Sequence, residues 1–280
     1  MVINANPKTS EEKNKMRLSR SKPTLSYVLL VLAVILIYIF LYAPMVVMVF
    51  YSFNASRFQA AWQGFTLDWY VRLLHNETIL LAARNSLLVA LASTIVSTFI
   101  GTITAFALHR YDFPGKSLFK GIIYIPIVIP DIVMGVSLVA FYSLLGFSLG
   151  LHTIVIAHVA FSISFVVLVV RARLCGINSS LQDAAHDLGA NSWETFRRVT
   201  WPLIQPGVIS GALLAFTISL DDFIITFFTA GAGSTTLPLK IYSMVKFGVT
   251  PEINALSTII LVIIILAVFL SQGLSKKNYS

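Results

Sequence analysis

The stretch Val208–Ala230, VISGALLAFTISLDDFIITFFTA, is apolar for long enough to cross a bilayer, yet two adjacent carboxylates, Asp221 and Asp222, sit near its middle. About 20 apolar residues span a hydrocarbon core, so the run reads as a membrane helix. One carboxylate at the centre of such a helix costs roughly 2.5–3.5 kcal/mol on insertion scales. Two in succession need a wet cavity, a partner helix or a cation to face.

The rest of the chain agrees with a membrane setting. Of its 280 residues, 57% are hydrophobic and 11% charged, where a soluble domain carries about 25% charged residues. The expected fold is an all-α, polytopic membrane protein. Six segments qualify as spans or nearly so: Tyr27–Phe50, Ser86–Leu108, Gly121–Leu144, Leu151–Val170, Gly207–Ala230 and the short Ala255–Leu270. Helices satisfy their own backbone hydrogen bonds, as lipid demands. The first segment is too long for a cleavable signal and no small-x-small site follows it, so it reads as a retained anchor. Residues 1–24 are polar and basic, with Pro7 and Pro23, and read as a disordered tail. Residues 25–275 form one transmembrane domain.

With the N-terminus inside, fifteen of the twenty Lys and Arg fall on inner segments and five on outer ones. This bias predicts both termini in the cytoplasm. It also accounts for the net charge of +8: the basic residues set orientation, and nucleic acid is not an expected partner. The single Cys175 excludes an intrachain disulfide framework. The five histidines show no metal-ligand spacing, so no metal is expected. Trp62, Trp69 and Tyr70, in the outer loop from Tyr51 to Asn85, suit the headgroup level. A short surface helix is expected within Thr236–Pro251.

The largest inner loop, about 171–205, carries helix signals. Asn178, Ser179 and Ser180 offer capping oxygens. Leu181, Ala184, Ala185 and Leu188 fall on one apolar stripe, and Gly189 follows at a C-cap position. Asn191 with Glu194 makes a capping-box start. A second short helix should run to about Val199 and stop at Pro202. The result is a helix–turn–helix elbow, either lying on the inner leaflet or docking into a partner.

Asp183-Ala184-Ala185, Gly189 and Pro202 resemble the E-A-A-x-x-x-G loop of permease subunits of ABC importers. Two positions depart from that pattern: Asp183 stands for the usual Glu, and Trp201 for the usual Leu. A closer resemblance runs from Tyr42 onward. Tyr51-Ser-Phe-Asn-Ala-Ser56, Trp62-Gln-Gly-Phe-Thr66, Pro130-Asp-Ile-Val-Met134, Ser219-Leu-Asp-Asp222 and Leu237-Pro-Leu-Lys-Ile-Tyr-Ser-Met-Val-Lys246 are similar to the C-type permease subunits of spermidine/putrescine importers. This resemblance implies the type I ABC importer permease fold in a bacterial inner membrane. It implies a second permease subunit, two ATPase subunits that bind ATP and Mg, a periplasmic polyamine-binding protein and a polyamine cargo. It further implies that Asp183, Ala184, Ala185 and Gly189 form the coupling helix gripped by the ATPase. No cofactor is expected in this chain itself.

The residues agree with an external motor. A phosphate-cradling loop needs G-x-x-x-x-G-K-[ST]; Gly115-Lys116-Ser117 matches only its end, and Arg110 stands where the first glycine should be. Polycations crossing a low-dielectric bundle need negative charge along the path. Asp221 and Asp222 are the first candidates, and Asp131 is a third. Pro126 and Pro130 precede Asp131 and should kink or open its helix. Adjacent helical residues point about 100° apart, so one member of the Asp221–Asp222 pair is expected to face the passage and the other a neighbouring helix. A structural reading remains open, with the pair capped by Ser219 and Thr226. Gly207 and Gly211 suit close helix packing. The competing functions are a permease for another small solute and a gradient-driven carrier working through the two aspartates; no catalytic constellation supports an enzyme.

Overall fold

The computed structural model describes residues 25–56, 61–178, 180–246, 248 and 250–277. The tail over residues 1–24, Arg57 and the capping oxygen of Ser179 lie outside them. Among the described residues the regular structure is helical, apart from one isolated β-bridge between Asn54 and Phe65. The chain divides into two compact units. One holds residues 67–253; the other holds the described residues up to Thr66 together with those from Asn254 on.

The smaller unit opens with α1, Leu25–Tyr51, which has no buried residue. Its chain then folds into a tight loop built on Asn54. The Asn54 amide donates to the Ala61 carbonyl at 2.9 Å, and its carbonyl oxygen accepts from the Gln63 N–H at 2.9 Å. Gly64, at φ +125°, completes the turn, and Trp62 stacks on Phe50 with ring centroids 4.4 Å apart.

The larger unit contains α2 (Asp68–His75), α3 (Glu77–Arg110), α4 (Lys116–Val128), α5 (Asp131–Leu144), α6 (Leu151–Cys175), α7 (Ser180–Asp187), α8 (Ser192–Thr195), α9 (Trp201–Asp221), α10 (Ile224–Thr229) and α11 (Leu237–Lys246). The last helix, α12, spans Pro251–Lys277, and its apolar part is Pro251–Leu266. Trp69 is buried beneath the Arg72 guanidinium, 5.1 Å from its ring, so it is not a free headgroup anchor. The surface helix expected after Thr236 is α11.

Lipid tails are as apolar as leucine, so helices in a membrane associate through close contact of small residues rather than through water exclusion. The core shows this. Ser93, Ser97, Gly101 and Ala105 recur every fourth residue on the buried face of α3, and Gly207, Gly211 and Ala215 do so on α9. Both faces meet α6. A methyl at Gly101 would lie 2.7 Å from Val166 Cγ1, and one at Gly207 would lie 2.6 Å from Arg173 Cβ. Ala105, Leu108, Val166, Val170, Ile204 and Ala215 form the centre of this packing.

Four helical stretches among the described residues are long and apolar enough to cross a membrane: α1, α3, α6 and Ser192–Asp221. Two expected spans are broken. The segment Gly121–Leu144 is the pair α4 and α5, bent by 110°. Pro130 pushes the residue before it out of the helical region, and Ile129 is extended at φ −72°, ψ 133°. The segment Gly207–Ala230 is likewise not one helix: α9 ends at Asp221, Asp222 is extended at ψ 126°, and α10 starts at Ile224. Pro202 does not stop a helix as expected. A π-helical turn over Phe196–Thr200 carries α8 into α9, and the Trp201 N–H bonds five residues back to Phe196. Pro202 then sits in the first turn of α9, where a missing N–H is tolerated.

Candidate functional site

The break at Asp222 is held open by its own side chain. A helix start leaves its first N–H groups without partners, and Asp222 supplies them: Oδ1 accepts from the Ile225 N–H at 3.3 Å and Oδ2 from the Thr226 N–H at 2.8 Å. The Thr226 hydroxyl also donates to Oδ2, at 2.9 Å. A fourth donor comes from α6, where His158 Nε2 lies 3.2 Å from the same oxygen. The Asp222 side chain is 9% exposed and His158 only 1%.

His158 extends the network to three other helices. Its Nε2 is 3.0 Å from Thr226 Oγ1 on α10, and its Nδ1 is 2.7 Å from Ser219 Oγ on α9. Ser219 is in turn 3.0 Å from Ser93 Oγ on α3. Met134 and Leu138 of α5 pack against Ala157, Phe161 and Ile225 beside it. Phe228 of α10 lies against Gly135, where a methyl would come within 2.6 Å of its ring. Farther along, the Thr153 hydroxyl donates to the Thr229 carbonyl at 2.8 Å and fixes the end of α10 to α6.

The structure separates the three acids read from the sequence. Asp222 is locked, as one of the two open readings required, but Ser219 serves His158 and Ser93 rather than the aspartate. Asp221, the last residue of α9, is exposed. Asp131 is exposed as well, in the first turn of α5 directly after the Pro130 bend. The helix N-terminus favours a negative charge at that position. Asp131 is not part of the His158 network. Sequence spacing missed His158 altogether. The signal was present: an ionisable residue inside an apolar span is a functional candidate by default.

The elbow residues stand apart from this network. In α7, Asp183 and Ala184 are exposed and Ala185 is half-buried. Gly189, at φ +86°, ends the helix, with the Ala190 N–H reaching back to the Ala185 carbonyl. Asn191 and Glu194 form the expected capping box, 2.9 and 3.1 Å. Gln182 ties the elbow down: it accepts from Arg110 on α3 at 3.2 Å and donates to Thr200 of the π turn at 3.3 Å. At the end of α6, Arg173 Nε donates to the Leu203 carbonyl of α9 at 2.8 Å. The apolar stripe has little cover of its own, and Leu188 is 89% exposed. In Gly115-Lys116-Ser117, Lys116 bonds Asp112 at 2.7 Å, which holds that exposed carboxyl below its usual range.

Comparisons with known proteins agree with this architecture. The family model described as binding-protein-dependent transport system inner membrane component matches residues 97–277. The chain is 43% identical over 242 residues to the spermidine/putrescine transport system permease protein PotC of Haemophilus influenzae, covering 86% of this chain and 94% of that one. It is 42% identical over 229 residues to the putrescine transport system permease protein PotI of Escherichia coli K12, covering 79% and 82%. Among solved structures, a bacterial ABC transporter involved in the import of the acidic polysaccharide alginate superposes with a TM-score of 0.71 at 19% identity, over 90% of this chain and 95% of that one. An amino acid ABC transporter superposes at 0.57 and 16% identity, over 75% and 97%. The fold is therefore the all-α, polytopic fold of ABC importer permeases.

Proposed function

Because the chain belongs to the family of binding-protein-dependent transport system inner membrane components, we propose that it is a permease subunit for polyamines, forming the passage with a second permease subunit. It is a multi-pass inner-membrane subunit and not itself an enzyme; ATP hydrolysis belongs to a separate pair of ATPase subunits. The basic residues orient it with both termini and the elbow on the cytoplasmic side. There Ala184, Ala185, Leu188 and the Gly189 turn enter the ATPase pair, with Asp183 at their edge. On the opposite side a polyamine-binding protein delivers cargo.

One observation carries the cargo reading. Of the two carboxylates at the break in α9–α10, Asp222 is fully engaged by four donors, while Asp221 is exposed at the helix end. Broken helices at membrane depth are tolerated where they line protein or water, and a free carboxylate there suits a polycation. Asp131, at the second break, is a further acid for the same path. The relatives named for spermidine and putrescine support this cargo class.

The test is uptake of radiolabelled spermidine and putrescine into proteoliposomes holding the chain with its second permease, ATPase and binding protein. Asp221→Asn should lower uptake at least about tenfold, equivalent to roughly 1.4 kcal/mol. Full uptake by the variant would remove the cargo role of Asp221, and uptake that persists without ATPase would remove the ATP-driven reading.

A further inference from the structure

Among the described residues His158 is a buried titratable side chain that the proposed passage leaves without a role, and its hydrogen bonds bear on its charge. The Asp222 carboxylate receives two backbone N–H groups and the Thr226 hydroxyl. The single Thr226 proton is spent there, so Thr226 Oγ1 can only accept from His158 Nε2, 3.0 Å away. Nε2 therefore carries a proton. The Ser93 hydroxyl donates to the Ala90 carbonyl at 3.2 Å. In that arrangement Ser219 donates to Ser93, and its oxygen accepts from His158 Nδ1 at 2.7 Å. With Ser93 held on Ala90, Nδ1 carries a proton too. A neutral ring would require Ser93 to abandon Ala90 so that both serine protons could turn toward the imidazole.

We infer that His158 is an imidazolium that neutralises Asp222, a positioning residue which leaves Asp221 as the single uncompensated charge at the break. Asp222 accepts from every donor around it and has nothing to donate to, as an ionised carboxylate must. A buried carboxylate without a countercharge is costly, and His158 Nε2 lies 3.2 Å from Asp222 Oδ2. The same ring bonds Ser219 before the break and Asp222 and Thr226 after it, so it also sets where Asp221 stands. A transport site must hold its ion strongly enough to admit it and weakly enough to let it leave. Compensating one of two neighbouring carboxylates meets that demand for a polycation.

The charge state can be read without any transport assay. The other four histidines, His75, His109, His152 and His186, are exposed; replacing them with glutamine leaves His158 as the one imidazole. Solid-state NMR of this chain with 15N-labelled histidine, in bilayers at neutral pH, should show both ring nitrogens protonated. One bare ring nitrogen overturns the inference. The transport consequence, which rests on the polyamine reading, is tested in the reconstituted complex. His158→Gln leaves Asp222 uncompensated, so maximal uptake should fall about tenfold while KM also falls. His158→Gln with Asp222→Asn should recover the rate of Asp222→Asn alone. A double variant worse than either single one would show a merely structural ring. A wild-type complex inactive on polyamines would instead sink the cargo reading and leave the NMR result standing.

Discussion

Asp221 and Asp222 are neighbours in sequence but should fail in opposite ways when replaced by alanine. Asp222→Ala removes the acceptors for the Ile225 and Thr226 N–H groups. Loss of such a cap costs about 1 kcal/mol. It also strands the Thr226 hydroxyl and the His158 ring, and hydrogen bonds to a charged group contribute roughly 1.5–3 kcal/mol. Together the loss is about 3 kcal/mol or more. At roughly 2–4 °C per kcal/mol for a chain of this size class, Tm should drop by about 6–12 °C. Asp221→Ala touches an exposed side chain, where substitutions stay within about 0.5 kcal/mol, so its Tm should move by less than about 2 °C. The assay is thermal unfolding of the purified complex in nanodiscs, followed by tryptophan fluorescence, with uptake measured on the same preparations. Asp221→Ala should keep its Tm and lose uptake; Asp222→Ala should lose both. Equal shifts in Tm, or a larger shift for Asp221, would refute the division of roles.

Two further substitutions probe the packing and the elbow. Gly207→Ala would bring a methyl within 2.6 Å of Arg173 Cβ and 2.8 Å of its Cγ, so either α9 separates from α6 or Arg173 leaves the Leu203 carbonyl. The expected cost is about 1–3 kcal/mol, seen as a lower Tm, and an unchanged Tm would contradict the close contact. Leu188→Arg changes a side chain that is 89% exposed; membrane levels should stay normal while the ATPase no longer co-purifies, and an intact complex would argue against docking at the elbow.

The spans in α1, α3 and α6 were legible because lipid imposes a length on any helix that crosses it. The bend before Asp131 was legible for a similar reason: Pro130 restricts its neighbour whatever surrounds it. The break at Asp222 was not, because hydropathy is the same on both sides of it and periodicity cannot see a helix that ends among apolar residues. Its local trace is the run Asp222, Ile225 and Thr226, an acceptor followed by the N–H groups it caps, which reads as a polar insertion when the whole segment is assumed continuous. His158 was hidden differently. Its partner Ser219 lies 61 residues away, and no spacing rule connects them. Pro202 misled because the π turn before it absorbs the disruption, and a π turn has no residue signature comparable to a cap.

The placement of the break gives the proposed transport cycle a mechanical logic. Ser192–Asp221 is one helical stretch, with the elbow at one end and Asp221 at the other. Its α9 portion alone, 21 residues, is about 32 Å long at 1.5 Å per residue. Gln182 bonds the elbow to the π turn within this lever, while Arg173 bonds the start of α9 to α6. At the far end, α10 does not continue the lever. It is seated on α6 through His158 and Thr153, and the extended backbone at Asp222 lets α9 move without dragging it. The Ser219 contact with His158 and the Arg173 bond to Leu203 both join α9 to α6, and both are bonds a moving lever must stretch or exchange. In the proposed cycle, movement at the elbow that reached α9 would change where Asp221 stands relative to α10, whereas an unbroken span would move both together.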